Sequence, residues 1–268
     1  AFIFYSKFLG YDKKLKAGNY ILDPSDSIPD ILEKLSRGQV HYVLFTIPEG
    51  YNIDQIAETL SKKGLVEKEK FLTLASNSNF HFPIDKNINN VKYKLEGYLF
   101  PDTYQVSPDM NESDIIKMML KRFSEVFDKK AQARAKELGL SDHELITLAS
   151  MIEREAKFDE DRALIAGVIY NRLKIGMPLQ IDATIQFALE TPKPRLTYND
   201  LEIDSPYNTY KNQGLPPGPI GAPGKASITA ALYPQETDFL YYVAKNDGTH
   251  VFSKTLQEHN KAKRKYIK

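Results

Sequence analysis

Between Glu112 and Lys174 apolar residues recur at helical spacing in three successive runs, and the later segment 190–224 is so rich in proline and glycine that it can continue neither a helix nor a central strand. These features impose a helical body that carries one long irregular loop, and a loop of that length in a compact domain usually serves function. The first run, Glu112–Leu138, repeats through Ile115, Ile116, Met119, Leu120 and Phe123. The second spans Ser141–Phe158, where Ser141 and Glu144 make a capping box and Leu145, Leu148, Ala149, Ile152 and Ala156 share one apolar face. The third, Glu160–Lys174, stops at Gly176 and Pro178. After the loop, Phe239–Val243 and His250–Ser253 read as a hairpin around Asn246–Asp247–Gly248, with a helix behind it.

Upstream, residues 17–75 hold an internal repeat. Setting Tyr20 over Phe45 gives an offset of 25 residues, at which Ile28 meets Ile53, Ile31 meets Ile56, Glu33 meets Glu58 and Leu35 meets Leu60. Each unit reads as a short strand, a polar turn and an amphipathic helix. In the second unit Phe45 and Ile47 alternate, Pro48–Glu49–Gly50 turns the chain, Asn52 or Asp54 caps, and Ile53, Ile56, Ala57 and Leu60 keep helical spacing. Residues 76–107 are irregular and include EGYLFPDTY, Glu96–Tyr104. The expected class is α+β: a small N-terminal part over 1–75, then a larger, mainly helical domain over 76–268 with a short hairpin.

Composition narrows the function. With 36 basic and 35 acidic residues the net charge is +1, which gives no basic surface for nucleic acid. The basic end Lys261–Lys268 reads as a solvated helix terminus. Cysteine is absent, so disulfides and thiolate chemistry are excluded. His41, His81, His143, His250 and His259 are scattered without HExxH spacing, and no nucleotide-binding glycine motif occurs, so neither a metal nor a cofactor is expected. No apolar run reaches membrane-spanning length. The abrupt start, AFIFYSKF, reads as a piece of a longer protein.

Two acids on the second helical run can carry chemistry. Glu153 has Lys157 one turn ahead, the usual solvated pairing. Glu155 has Met151 and Ile152 one turn behind and no cation one turn ahead, a setting that raises a carboxyl pKa and suits a general acid. A plain helix-surface charge is the competing reading of the same residue.

The segments LASMIEREA, GVIYNRLKIGMPLQIDATI, SPYNTYKNQGLPPGPIGAPG and LYYVAKNDGTHVFSKTLQEHN, with EGYLFPDTY before them, resemble the successive signatures of the YceG-like (MltG) family of endolytic transglycosylases. That resemblance implies a lytic enzyme that cuts the MurNAc–GlcNAc bond of peptidoglycan and leaves 1,6-anhydro ends. It implies action beside peptidoglycan synthases at the outer face of the bacterial membrane, with an anchoring helix outside this chain. In the family's (I/V)EKE-type motif the final acid is catalytic, which falls on Glu155, and Glu153 is the first acid; Arg154 and Ala156 depart from the common Lys and Thr. The unit at about 43–75 resembles a LysM module, which is associated with glycans containing N-acetylglucosamine. The family resemblance offers Glu153 as a glycan contact, and the other signatures add Asn171, Arg172, Gln180, Asp182, Tyr207, Asn208, Thr209 and Tyr210. Against that role, Asn171 can tie helices together and Asp182 can cap the helix near Ala183. Glu96 and Asp102 read as structural, though with Asp182 they are the candidates for the second carboxylate of a hydrolase. A module that binds peptidoglycan without cutting it, and so localises synthesis enzymes, is the remaining alternative.

Overall fold

The computed structural model describes residues 1–77, 80, 89–189 and 191–266; His81 lies outside them. Two short helices open the chain, α1 (Phe2–Phe8) and α2 (Ile28–Arg37), and they pack on each other. Ser27 and Asp30 close a capping box on α2, and Gly38 ends it at φ 67°. The first repeat unit thus has its helix, but the residues around Tyr20 form no strand.

The second unit has both elements. Strand β1 (Val43–Thr46) leads through the Pro48–Gly50 turn into α3 (Ile53–Lys62), whose Asn52 cap pairs with Gln55 in a box. Helix α4 (Lys68–Ser76) follows, and β1 finds its antiparallel partner in β2 (Thr103–Val106), past the expected boundary at 75. The register runs from Val43 opposite Val106 to Thr46 opposite Thr103. The buried side chains of this unit, among them Phe45, Ile53 and Phe71, belong to one contiguous cluster with Leu99, Met119, Leu148, Ile152 and Ile228.

The Glu112–Leu138 run is two helices, α5 (Glu112–Val126) and α6 (Lys129–Glu137). The Asp128 carboxylate accepts the backbone N–H groups of Lys130 and Ala131 and so starts a new helix where periodicity alone reads straight through. Helix α7 (Asp142–Glu155) has the expected Ser141–Glu144 box and buries every residue from Leu145 to Ile152. It stops at Glu155 because Ala156 is extended, three residues before the expected end. Helix α8 (Asp159–Lys174) ends in the left-handed Gly176, and α9 (Asp182–Ala188) follows. Helix α10 (Lys225–Leu232) packs across α7 and α8. The hairpin of β3 (Tyr241–Ala244) and β4 (His250–Ser253) turns at Gly248 and is backed by α11 (Leu256–Tyr266). The architecture is therefore mixed: mainly helical, with two short antiparallel pairs among the described residues.

The proline-rich stretch behind Gly214 is scaffold. Its backbone exchanges hydrogen bonds with the first turn, Gly50 N–H to Ala222 O and Ala222 N–H to Tyr51 O, both 2.8 Å. Helix α7 holds it from below: Ser150 Oγ accepts the N–H of Ile220 at 3.0 Å. The Nε2–H of His143 donates to the Pro217 carbonyl at 2.7 Å, which leaves Nδ1 to accept the Tyr98 hydroxyl. Glycine is required where these segments meet. At Gly97, which has φ +82°, a Cβ would lie 2.5 Å from Pro219.

Candidate active site

Glu155 occupies the last position of α7, where the chain leaves the helix and the carboxyl escapes the core that holds Met151 and Ile152. It opens into a cleft of about 420 Å³ whose walls come from four elements: α8 with Arg172, the Leu179–Asp182 turn into α9, Tyr210 from the long loop, and the β3–β4 hairpin with α11. Glu155 is half-buried at the wall of this cleft. Its loss of water pushes its pKa up to about 7, and the Asp182 charge adds to it. The Tyr242 hydroxyl, the Ala183 backbone N–H and Arg154 act the other way. The direction agrees with the reading from neighbours in sequence, but the hairpin and α9 contribute to it, which periodicity could not show.

The hairpin is tied to α8 by three side chains. Asn171 Nδ2 donates to the carbonyls of Thr237 and Phe239 at 2.7 and 3.0 Å. Arg172 Nε donates to Leu240 O at 2.6 Å, its Nη1 reaches Leu179 O at 2.7 Å, and its guanidinium lies over the Tyr241 ring. Asp161 receives both the backbone N–H and the ring Nδ1 of His250, at 2.9 and 2.8 Å.

Of the residues expected to touch glycan, Arg172, Gln180, Asp182 and Tyr210 join Glu155 on the cleft. Gln180 sits at φ 50°, an uncommon conformation for a residue with a Cβ. Thr209 imposes it, since its carbonyl and its Oγ1 accept the N–H groups of Gln180 and Ile181. Asp182 does not cap α9: Ile181 is the N-cap and makes no side-chain bond, and the Asp182 carboxylate accepts the Tyr210 hydroxyl instead.

The remaining candidates do not line this cleft. Glu153, read as solvated beside Lys157, is 6% exposed; it pairs with Arg162 at 3.2 Å and accepts the Gly224 N–H at 2.9 Å. Asn171 serves the hairpin, as above. Asn208 spends its amide on Leu201 O and Ile203 O, and Thr209 spends its hydroxyl on Ile181 and Thr184. Tyr207 is buried against Phe187, and its hydroxyl has no partner among the described residues. Burial and satisfied polar groups keep these five off the cleft. Sequence reasoning missed Tyr241, Tyr242, His259 and Lys263 there, and left His250 without a role. Strand pairing was the available signal: Tyr242 faces Phe252 and Ala244 faces His250, so these side chains share one side of the hairpin.

Two acids outside the cleft join the N-terminal unit to the helical body. Glu49 reaches so close to Gly224 that a Cβ there would lie 1.8 Å from its Oε1; partial burial and then Glu153 raise its pKa. Glu96 is fully buried, with both oxygens 3.2 Å from the Ile53 N–H at the start of α3, and burial pushes it up to about 8. Asp102, by contrast, pairs at the surface with Arg122. A carboxyl with a raised folded-state pKa binds more protons folded than unfolded, so its stabilising effect is full below about pH 4.5 and is lost as pH rises towards 8. Glu96→Gln is therefore expected to leave the melting temperature at pH 5 near wild type and to raise it at pH 8.5, by a few kcal/mol of stability. Thermal melts at the two pH values check this, and equal shifts at both would contradict it.

A carboxyl with a pKa near neutrality thus lies in a cleft lined by Tyr210, Tyr241 and Tyr242, an arrangement with the chemistry that general acid–base work requires. The chain belongs to the YceG-like family, whose model matches residues 1–265. It is 44% identical over its whole length to the endolytic murein transglycosylase of Bacillus subtilis strain 168, of which it covers 77%. It is 34% identical, over 97% of its length, to the endolytic murein transglycosylase of Streptococcus pneumoniae serotype 2 strain D39, and spans about half (52%) of that relative. A crystal structure of a yceG-like protein from Listeria monocytogenes superposes with a TM-score of 0.76 at 40% identity, covering 97% of this chain and 88% of the other.

Proposed function

We propose that this protein is an endolytic lytic transglycosylase of peptidoglycan and that Glu155 serves in turn as its acid and its base. The observation that carries the reading is the Glu155 carboxyl, held at a pKa of about 7 in the cleft and so substantially protonated near neutral pH. The names of the relatives and the family membership support the substrate class. Protonated Glu155 gives its proton to the oxygen between N-acetylmuramic acid and N-acetylglucosamine, and the C1–O bond breaks. The muramic C6 hydroxyl then attacks C1 and returns its proton to the carboxylate. The product is a 1,6-anhydro end, and no water is consumed. The nucleophile is already part of the substrate, so little entropy is lost in bringing it to C1. Gln180, Asp182 and Tyr210 are the polar groups placed to hold the sugar.

Asp182 also lies on the cleft and keeps one rival alive, a hydrolase with two carboxylates. Mass spectrometry of peptidoglycan digested by the purified protein separates the two. The expected ends are anhydro; ends heavier by one water would overturn the transglycosylase reading. The strand–helix unit from β1 to α4 is read as LysM-like, a reading supported by its strand, turn and capped helix. Work at the outer face of the membrane beside peptidoglycan synthases completes the reading. No helix among the described residues is long and apolar enough to cross a membrane.

A further inference from the structure

The β3–β4 hairpin is held with more care than a short, partly exposed pair of strands needs. One oxygen of Asp161, on α8, receives both the backbone N–H of His250 at 2.9 Å and its ring Nδ1 at 2.8 Å. The His250 side chain is 3% exposed, and its ring stands edge-on to Tyr242, with centroids 5.6 Å apart and planes at 83°. Tyr242 and Glu155 line the same cleft, where the Tyr242 side chain favours the ionised Glu155 carboxyl. Bonds and a ring contact thus run from α8 into the hairpin and end at the cleft shared with the end of α7.

We propose that Asp161 and His250 form a positioning pair that seats Tyr242 so that its hydroxyl keeps the Glu155 carboxyl in one orientation through both proton transfers. The inference rests on the acid–base reading of Glu155 and adds residues to it. A glutamate at a helix end has free side-chain torsions, yet an acid that becomes a base must present its oxygens to two successive substrate atoms without swinging away. A tyrosine hydroxyl suits both stages, since it donates to the carboxylate and accepts from the carboxylic acid. The other groups facing Glu155 do not duplicate it. The Ala183 backbone N–H only donates, so it serves the carboxylate and not the carboxylic acid; Arg154 lies on the same helix, Asp182 and Tyr210 are bonded to each other, and Arg172 is engaged with backbone carbonyls. His259 and Lys263 line the cleft from α11.

The test uses the whole protein on purified glycan strands, reading kcat from pH 5 to 9. Tyr242 favours the ionised carboxylate, so Tyr242→Phe should raise the Glu155 pKa and move the alkaline limb of kcat to higher pH, with kcat about tenfold lower. His250→Phe keeps the ring against Tyr242 but breaks the bond to Asp161; it should shift the limb the same way, and the double variant should shift it no further than Tyr242→Phe alone. A folded Tyr242→Phe with an unmoved limb, whatever its kcat, overturns the proposal, because loss of packing alone lowers activity without retuning the carboxyl. If either ring variant fails to fold, Asp161→Asn, which keeps the shape and weakens the bond, replaces it: the same shift is expected, and none overturns the idea. The acid–base reading fails separately, if Glu155→Gln still releases anhydro ends. An inactive Glu155→Gln beside an unmoved Tyr242→Phe limb sinks only the positioning pair.

Discussion

Glu155→Gln is expected to lower the release of anhydro ends by about 10³- to 10⁴-fold at pH 6, where the wild-type carboxyl is protonated. The amide has the shape of the protonated acid, so the fold should survive, but it can neither give the proton to the leaving oxygen nor take one from the C6 hydroxyl. Both halves of the reaction fail at one residue, which places the loss at the upper end for a single acid–base group. The wild-type rate has a matching pH dependence. The reactive form is the acid, so the rate holds below pH 7 and falls as pH rises through about 7. The measurement is muropeptide analysis with mass detection across pH 5–9. An amide variant that retains more than a tenth of wild-type activity would exclude Glu155 as the acid.

Glu153→Ala is expected to cost about 3 kcal/mol or more of folding stability and to act on the cleft only through the fold. Glu153 sits two residues from Glu155, yet its carboxylate is committed to Arg162 and the Gly224 N–H. Removing it leaves the Arg162 guanidinium, itself 9% exposed, with Asp159 as its remaining acid partner; that aspartate is 81% exposed and screened by water. The Gly224 N–H loses its acceptor too, and with it goes a tie between α7 and the loop running into α10. Glu153→Gln should cost less, since the amide oxygen still accepts the Gly224 N–H. Urea unfolding at pH 7 measures both. A loss below about 1 kcal/mol for the alanine variant would mean that the pair contributes little.

The same two glutamates separate what is legible in the sequence from what is not. Short-range signals were readable: the Ser141–Glu144 box, the Asn52 cap, the glycine at 176, and the Asn246–Gly248 turn all lie where the residues place them. Each is a bond or a backbone angle decided within a few positions. The break between α5 and α6 is also local, but apolar periodicity carries no sign of the Asp128 cap. Glu153 was misread because Lys157, its neighbour one turn on, is not its partner; Arg162 lies nine residues away across the turn between α7 and α8. Asn171, Asn208 and Thr209 were polar residues in recognisable motifs, and nothing local tells whether such a group meets a sugar or a carbonyl of its own chain.

By itself the sequence determined a mixed, mainly helical fold, several helix caps, the hairpin and, through its motifs, the family; it also singled out the acid on which the proposed chemistry rests. Tertiary structure alone decided the surroundings of that acid: the hairpin from the far end of the chain tied to α8, Tyr242 on the same cleft as Glu155, and Asp182 and Tyr210 brought together there. The physical reason is range. Caps and turns are settled by neighbours along the chain, whereas the water that a carboxyl loses, and hence the pH at which it holds its proton, depends on residues nearly a hundred positions away.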